Sequence, residues 1–322
     1  MGYSSEVYQK AQHFLEENRR RAEHDAAVRK ADIYAKIPEL EKKEKELFQT
    51  MAHLSVTALS ESEKAETILE EIRLKNEKLQ EDRRKLLEEK GLNANALEPK
   101  YFCSACKDTG WVNGARCSCY EDACRGFARE ELERSSGAAK CSFDNFDLEL
   151  YPTAPDERGL IPKDKMTANF RFCREYAQKF SPTSPSLLLV GRTGLGKTHL
   201  SLSIAKEVLE KGYGVVYQTA QRLVNDLERE HFSPLGTDAD RKKYAECDLL
   251  IIDDLGAEFT GPFSVSAIGN LINERLFENR PTIISTNLTA GELTARYTER
   301  IGSRLLGEYK MLYFLGNDLR TR

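Results

Sequence analysis

The stretch Gly191-Arg-Thr-Gly-Leu-Gly-Lys-Thr198 decides the fold of this 322-residue chain. It follows the apolar run Leu187-Leu-Leu-Val190 and precedes an amphipathic run over 200–209. This is the strand, loop and helix order of a phosphate-binding P-loop. Its glycines let backbone N–H groups approach phosphates at the N-terminus of a helix. We predict that the loop binds ATP through Gly191, Thr193, Gly194, Leu195, Gly196, Lys197, Thr198 and His199.

Two loop residues and two later carboxylates have predicted catalytic roles. Lys197 would neutralise the β- and γ-phosphates, and Thr198 would place its hydroxyl on Mg²⁺. The run Leu249-Leu-Ile-Ile-Asp-Asp254 ends a buried strand with two aspartates. We expect Asp253 to hold Mg²⁺ and Asp254 to polarise the attacking water as a general base, placed by the strand end without an unusual pKa. A capping or solvated role is the alternative for Asp254.

Further short apolar runs alternate with amphipathic stretches in the C-terminal half. Strands that alternate with helices indicate a parallel sheet covered on both faces. We therefore predict an α/β fold with a parallel sheet. The runs are Leu187–Val190, Gly214–Tyr217, Leu249–Ile252, Thr282–Ser285 and Met311–Phe314.

Polar residues after the later strands are candidates for completing the nucleotide site. Asn287 follows a strand and could reach the γ-phosphate or the attacking water, or could simply form a turn. Arg300 and Arg304 lie four apart on one helix face. One of them is a candidate arginine finger toward a neighbouring subunit, with a surface salt bridge as the alternative. Arg320 follows the last strand and is a candidate for phosphate contact in cis.

The first segment has the composition of long helices. Residues from about 3 to 98 are densely charged, with Gly91 as their only glycine. Ser60 and Glu63 could form a capping box where two antiparallel helices meet. The segment is either a hairpin that packs on itself or a module that binds a partner. Apolar residues recur at helical spacing at Ile37, Leu40, Leu47, Met51 and Leu54, then at Ile68, Ile72, Leu79 and Leu86.

A cysteine cluster follows this helical segment. A C-x2-C pair and then a C-x-C pair can supply four thiolates to tetrahedral Zn²⁺. Cys124 could replace Cys119, and a redox or unliganded cluster or an iron–sulfur site is an alternative. We expect Gly110 and Gly114 to form turns and Trp111 to pack over the site. The predicted zinc ligands are Cys103, Cys106, Cys117 and Cys119, which leave no open position for catalysis.

Composition limits the partners and the location. The net charge of −4 argues against a protein that coats nucleic acid. The chain has no apolar run of membrane-spanning length and no signal-peptide pattern, so we expect a cytoplasmic protein without a membrane partner. A local DNA contact is predicted at Arg222, Arg241, Lys242 and Lys243, with a solvated charged face as the alternative.

These residues resemble the AAA+ ATPases of the DnaC/DnaI helicase-loader and IstB group. The resemblance covers most of the chain, with matching Walker A, Walker B, sensor 1 and arginine-finger boxes. It implies an AAA+ P-loop NTPase core preceded by an α-helical N-terminal region and a small zinc knuckle, without a C-terminal lid domain. It further implies that Arg304 is the finger in trans and that Arg320 is the sensor 2 residue. The matching segments are 191–200, 249–256, 284–288 and 299–307, with Ser142-Phe-Asp-Asn-Phe146 as the segment that leads into the core.

One departure from the group affects catalysis. Many AAA+ proteins have Asp-Glu at the end of Walker B, whereas this chain has Asp253-Asp254. The shorter side chain weakens the assignment of Asp254, and Glu258 is a second, weaker candidate for activating water.

The leading hypothesis is an ATP-hydrolysing loader that uses ATP, Mg²⁺ and Zn²⁺. It would bind a replicative DnaB-type ring helicase through the N-terminal region, contact single-stranded DNA and self-associate through the ATP site. One alternative is an IstB-like transposition helper on duplex DNA, and another is an ATP-binding adaptor without turnover. The predicted division is 1–98 helical, 99–125 zinc knuckle, 126–180 linker and lead-in, and 181–322 ATPase core.

Overall fold

A computed structural model describes residues 2–57, 65–233, 238–259 and 261–321. The chain forms two compact units. One contains Met1–Gln12 together with Ser118–Arg322, and the other is His13–Cys117. Residues 126–180, predicted to be a linker and lead-in, therefore group with residues 181–322.

The unit His13–Cys117 is mainly helical. It contains most of α1 (Ser5–Lys36), followed by α2 (Pro38–Thr57) and α3 (Ala65–Glu89). Helix α1 ends before Pro38 because the proline ring removes a backbone donor and disfavours helical geometry in the preceding residue. Proline is well tolerated at a first helical position, so a new helix begins there.

Helices α2 and α3 are antiparallel, as predicted. Lys43 pairs with Asp82 at 3.0 Å, whereas Asn76 donates to the Thr50 hydroxyl at 3.2 Å. Leu40 and Leu87 are buried together with Leu97 in a small apolar cluster. The predicted capping box of Ser60 and Glu63 lies outside the described residues, as do the side chains of Met51, Leu54 and Ile68.

The cysteine segment contains a short antiparallel hairpin. Strands β1 (Trp111–Val112) and β2 (Ala115–Arg116) pair across Asn113 and Gly114. Both turn residues have positive φ, of 50° and 80°. This conformation is favourable for Asn-Gly in a two-residue hairpin turn, so the predicted turn at Gly114 is confirmed.

The larger unit is built on a five-stranded sheet in which every strand pair is parallel. Its strands are β3 (Leu187–Val190), β4 (Val215–Thr219), β5 (Leu249–Leu255), β6 (Thr282–Thr286) and β7 (Lys310–Tyr313). Their order is β4-β5-β6-β3-β7. The predicted α/β class with a parallel sheet is therefore confirmed. Strand β6 lies between the strand of the P-loop and the strand of the two aspartates, so its end faces both.

Helices and short 3₁₀ turns precede, connect and follow these strands. The helices are α4 (Ser118–Ser136), α5 (Pro162–Gln178), α6 (Lys197–Glu210), α7 (Ala220–Phe232), α8 (Ala239–Glu246), α9 (Pro262–Phe277) and α10 (Ala290–Glu308). The 3₁₀ turns are Ala138–Lys140, Phe143–Asn145, Leu148–Leu150 and Leu319–Thr321. Across the described ranges, no helix combines the length and apolar character needed to cross a membrane.

A fully buried arginine holds the base of the sheet together. Arg275 of α9 is 0% exposed and donates to backbone carbonyls at the end of α8 and before β6. Its guanidinium reaches Tyr244 O at 2.9 Å, Ala245 O and Cys247 O at 3.0 Å, Pro281 O at 2.6 Å and Thr282 Oγ1 at 2.9 Å. The carbonyl groups at the end of α8, which helix geometry leaves without a donor, are thereby satisfied without contact with water.

Candidate nucleotide site

The P-loop connects β3 to α6, as the sequence predicted. Lys197 is the first residue of α6 and is 5% exposed. Its ammonium group donates to Gly191 O at 2.6 Å and to Arg192 O at 2.8 Å. Burial lowers the pKa of Lys197, and the carboxylates of Asp254 and Asp253 oppose this shift. The ammonium group is therefore held within the loop beside two negative charges.

Two glycines of the loop allow contacts that a side chain would prevent. Gly194 has φ +76°, and a Cβ there would lie 1.8 Å from an oxygen of Asp318. Gly196 has φ +84°, and a Cβ there would lie 2.8 Å from the Phe146 ring. Positive φ and close packing both favour glycine. The loop thus has the curved, exposed backbone that binds phosphates at a helix N-terminus.

Asp253, at the end of β5, accepts hydrogen bonds from three hydroxyl groups. Its carboxylate accepts from Thr198 Oγ1 at 2.9 Å, from the Tyr217 hydroxyl at 2.7 Å and from Ser285 Oγ at 2.5 Å. It is 3% exposed. The structure therefore brings together Thr198 and Asp253, the two predicted Mg²⁺ ligands. A hydroxyl and a carboxylate are oxygen donors that Mg²⁺ prefers, so this pair fits the ion.

Sequence reasoning missed the roles of Tyr217 and Ser285. Both lie on strands that flank β5, Tyr217 on β4 and Ser285 on β6. The parallel order of the sheet would have identified them as neighbours of the Asp253 strand end. The sequence could have indicated these two residues in one way. Both lie near the carboxyl ends of predicted strands, where sites in α/β proteins form.

Asp254 differs from Asp253 because β5 is irregular at this point. The register with β6 shifts between Ile252 and Leu255, and Asp254 has φ 54°. Its backbone N–H donates to Ser285 Oγ at 2.9 Å, and its side chain is exposed. A bulge of this kind redirects a side chain beside a site.

Although Asp254 is exposed, partial burial of its carboxyl raises its pKa, as does the neighbouring Asp253 charge, against opposing effects of Lys197 and Arg320. The expectation that Asp254 has no unusual pKa was therefore wrong. The bulge brings its carboxyl within electrostatic reach of a second carboxylate. A raised pKa moves a carboxyl toward the range useful for a general base.

Arg320 lies close to the chain's own P-loop. The N–H of Leu319 donates to Gly194 O at 3.1 Å. The Arg320 charge also lowers the pKa of both Lys197 and Asp254. This proximity agrees with the predicted contact to phosphate in cis. Asn287 directly follows β6 and is exposed, so it is available at the same edge of the sheet.

Arg304 lies at the other edge of the sheet. It lines a cavity of about 460 Å³ with Ser186, which precedes β3, and Arg280, which precedes β6. The four residues of β3 separate this edge from the P-loop. The Arg304 guanidinium donates to the Asn273 side chain, and Arg300 is exposed. Arg304 therefore does not belong to its own subunit's nucleotide site, as a finger in trans requires.

Glu258 is a structural residue and not the second candidate for water activation. Its carboxylate is 2% exposed and accepts from Gly256 N at 2.8 Å and from the Tyr297 hydroxyl. A buried carboxylate with these contacts has no free face for water. Because the turn after β5 is tight, the Glu258 carboxylate contacts the backbone of the same turn at Gly256.

His199 directs its side chain toward the lead-in segment. Its Nε2 lies 2.9 Å from Ser142 O, and its ring meets Phe146 edge-on at 5.2 Å between centroids. Only the backbone of His199 therefore remains available for the predicted nucleotide contact. The imidazole instead attaches the lead-in segment to the P-loop helix.

Two of the four residues predicted to contact DNA are engaged in ion pairs. Arg241 pairs with Glu274 at 2.9 Å, and Lys243 pairs with Glu131 at 2.5 Å. Arg222 and Lys242 are exposed. The alternative of a charged face with internal pairs is thus favoured for Arg241 and Lys243.

The four predicted zinc ligands lie together. The thiols of Cys103, Cys106, Cys117 and Cys119 all lie within 4.8 Å of one another. Cys124 is not a member of this cluster, which favours Cys119 as the fourth ligand. Four converging thiols match a tetrahedral structural zinc site.

The loop around the thiols is held by Asp108. Its carboxylate accepts from Phe102 N at 2.9 Å and from Cys103 N at 2.7 Å, and it is 1% exposed. Trp111, predicted to pack over the site, instead exposes 46% of its surface. The Arg116 guanidinium lies 3.9 Å above its ring because both residues stand on the paired strands β1 and β2.

Replacing Cys103 or Cys117 with serine is expected to reduce bound zinc from about one ion per chain to near zero, because a structural site needs all its ligands. The measurement is metal analysis of the purified protein after dialysis against a weak chelator. Cys141→Ser, outside the cluster, is the matched control and should keep its zinc. Full zinc retention in both cluster variants would contradict the ligand assignment.

Removing the Ser285 hydroxyl is expected to slow ATP hydrolysis about 10²-fold with little change in ATP affinity, because it frees both Asp253 and the Asp254 backbone. Steady-state kinetics and nucleotide titration of Ser285→Ala measure the two effects. Ser203→Ala is the control, since Ser203 is equally buried but bonds to the backbone of His199. An unchanged rate in Ser285→Ala would remove Ser285 from the site.

Comparisons with known proteins show which proteins this chain is similar to. Residues 168–308 match the family described as IstB-like ATP binding protein. The replicative helicase loader DnaC of Escherichia coli (strain K12) is 26% identical over 185 residues, covering 56% of this chain and 70% of DnaC.

Two other relatives are proteins of mobile elements. The phage-like element PBSX protein XkdC of Bacillus subtilis (strain 168) is 28% identical over 243 residues, covering 71% of this chain and 86% of XkdC. An ATP-binding protein of insertion sequence IS5376 from Geobacillus stearothermophilus is 30% identical over 151 residues, covering 47% of this chain and 54% of that protein. The predicted resemblance is therefore confirmed: the chain is similar to DnaC-type AAA+ helicase loaders, and its residues 168–308 match the IstB-like ATP-binding family.

Proposed function

We propose that this protein hydrolyses ATP and loads a replicative ring helicase onto single-stranded DNA. The observation that carries the chemistry is the contact between Thr198 and Asp253, which joins the P-loop to the carboxylate at the end of β5. The relationship to DnaC supports the loading role.

In this proposal, Lys197 and the loop N–H groups bind the phosphates, and Thr198 and Asp253 would hold Mg²⁺. Mg²⁺ held there would supply positive charge against the negative charge of the phosphates. Asp254 accepts a proton from the attacking water, in keeping with its raised pKa. Asn287 orients this water or the γ-phosphate, and Arg320 contacts phosphate from the same subunit.

Self-association completes the proposed site. Arg304 lies at the sheet edge opposite to its own P-loop, where a neighbouring subunit's nucleotide can meet it. A guanidinium there stabilises charge that develops during phosphoryl transfer. ATP binding thus favours assembly, and hydrolysis weakens it, which makes the nucleotide a switch for partner binding and release.

The unit His13–Cys117 is proposed to bind the helicase. It exposes large apolar side chains on its helices, with Phe48 at 75% and Leu74 at 59% exposed. Single-stranded DNA would contact the ATPase unit, where Arg222 and Lys242 remain exposed.

Co-purification with a purified DnaB-type helicase tests the partner. We expect the helicase to be retained by the immobilised protein in ATP and Mg²⁺, and retention to fall when Lys197→Ala replaces the wild-type chain. Recovery of no helicase under any nucleotide condition would refute the loader proposal.

A transposition helper is the second candidate, favoured by the family match and by the relative from an insertion sequence. It predicts filaments on duplex DNA in ATP, seen by electron microscopy, with no helicase recovered. An adaptor without turnover is the third candidate, because Asp254 stands where many AAA+ proteins have Glu. A hydrolysis rate at background, with helicase and single-stranded DNA present, would favour the adaptor.

A further inference from the structure

The turn after β5 is tied directly to helix α10. Glu258, four residues beyond Asp254, accepts the Gly256 N–H at 2.8 Å through one carboxylate oxygen. Its other oxygen accepts the Tyr297 hydroxyl. Arg296 adds a bond of 2.6 Å from its guanidinium to the Glu258 carbonyl. Because Glu258 is 2% exposed, this connection is shielded from water.

Tyr297 stands at a sharp corner within α10. It has φ −109° and ψ 15°, and the next residue, Thr298, has φ 74° and ψ 153°. Such a conformation is unfavourable in a residue other than glycine and persists only where its surroundings enforce it. The corner divides α10 into two helical segments, and the second segment carries Arg300 and Arg304.

The second segment folds closely against its neighbours. A Cβ at Gly302 would lie 2.8 Å from Thr294 Cα in the first segment. A Cβ at Gly269 of α9 would lie 2.4 Å from the Ile301 side chain. Both glycines permit close packing that any larger side chain would disturb. The direction of the second segment is therefore determined by the corner and by α9.

Arg304 is held by helix α9. Its guanidinium donates to Asn273 of α9. Glu258 accepts from Tyr297 at the corner, and the helical segment that follows the corner carries Arg304. The contacts of Tyr297 and Arg304 thus hold this segment at two points.

We propose that Glu258 and Tyr297 are positioning residues that orient Arg304. The turn beside one subunit's nucleotide thereby controls how Arg304 contacts the nucleotide of the next subunit. Neither residue touches the nucleotide of its own subunit in this account. The inference rests on the proposed role of Arg304 in trans.

Mixed assemblies test this proposal. Arg304→Ala subunits serve as recipients, since they retain a complete P-loop but offer no finger. Asp254→Asn subunits serve as donors, since they bind ATP without turning it over and offer Arg304. Mixing the two should restore hydrolysis in the recipients, above the rate of either variant alone.

The decisive donor carries Tyr297→Phe in addition to Asp254→Asn. We expect this donor to restore at most about one tenth of the activity that the Asp254→Asn donor restores. The kcat of the recipients should be lower and their KM for ATP unchanged. Tyr313→Phe in the donor is the matched control, because Tyr313 lies on β7 and is 46% exposed. It should leave the restored rate unchanged.

The outcomes separate the two proposals. Failure of the original donor to restore any activity would refute Arg304 in trans. If the original donor and the Tyr297→Phe donor restore the same activity, the positioning role is overturned. The proposal that Arg304 acts in trans would still stand. If Tyr297→Phe lowers the melting temperature of the donor, Glu258→Gln is used instead, and the same two results decide the question.

Discussion

Replacing Arg304 with alanine is expected to lower ATP hydrolysis by the assembled protein by about three orders of magnitude. The isolated subunit should bind ATP as well as the wild type, because Arg304 lines a cavity at the sheet edge away from its own P-loop. Hydrolysis is measured at protein concentrations above the assembly threshold, and binding by titration with a fluorescent ATP analogue.

Arg300→Ala is the matched control for this prediction, since Arg300 lies four residues earlier in the same helical segment and is exposed. A small effect in Arg300→Ala and a large one in Arg304→Ala would identify the finger. The reverse result would assign the finger to Arg300. If both variants hydrolyse ATP at the wild-type rate, no finger acts from this segment.

Replacing Arg275 with methionine is expected to destabilise the unit that contains the P-loop by about 3–5 kcal/mol, because it leaves several buried carbonyls without a donor. The arginine bonds at 2.6–3.0 Å to four carbonyls and the Thr282 hydroxyl, and it is fully buried. Methionine has similar length but no donor, so the packing is preserved better than the hydrogen bonds.

Urea denaturation followed by circular dichroism measures this loss. Arg222→Met, at an exposed position on α7, is the control and should change stability by less than about 0.5 kcal/mol. Equal midpoints for Arg275→Met and the wild-type chain would show that these carbonyls find other partners.

The sequence predicted the nucleotide site where the chemistry requires particular residues at fixed spacing. The P-loop needs its glycines, Lys197 and Thr198 in order, and a buried strand ending in Asp253 is expected beside it. The structure brings Thr198 and Asp253 into hydrogen-bond contact. The same reasoning holds for the cysteines, whose paired spacing predicted the cluster of four thiols.

Features that depend on the folded chain could not be predicted in this way. Ser285 and Tyr217 are ordinary strand residues until the strand order places both beside Asp253. The sequence around Thr298 is typical of a continuous helix, and the corner appears only in the folded chain, where Thr298 has φ 74°. Arg275 resembles a surface residue of an amphipathic helix, and its burial follows from carbonyls supplied by distant segments.

Glu258 illustrates how a local motif can mislead. Its position soon after Asp254 suggested a role in activating water, yet its carboxylate bonds to Gly256 and Tyr297 in the interior. A titratable residue near a site therefore needs a free face as well as proximity before it can be given a catalytic role.

Helicase loading onto closed circular single-stranded DNA tests the central claim most directly, because a ring cannot thread onto a circle without being opened or assembled around it. The purified chain, a DnaB-type helicase and circular DNA are mixed with ATP and Mg²⁺, and helicase that remains on the DNA after a high-salt wash is quantified. We predict that the wild-type chain increases this amount at least about tenfold over helicase alone and that Lys197→Ala does not. Equal amounts of salt-resistant helicase with the wild-type chain, with Lys197→Ala and with no chain added would contradict the account.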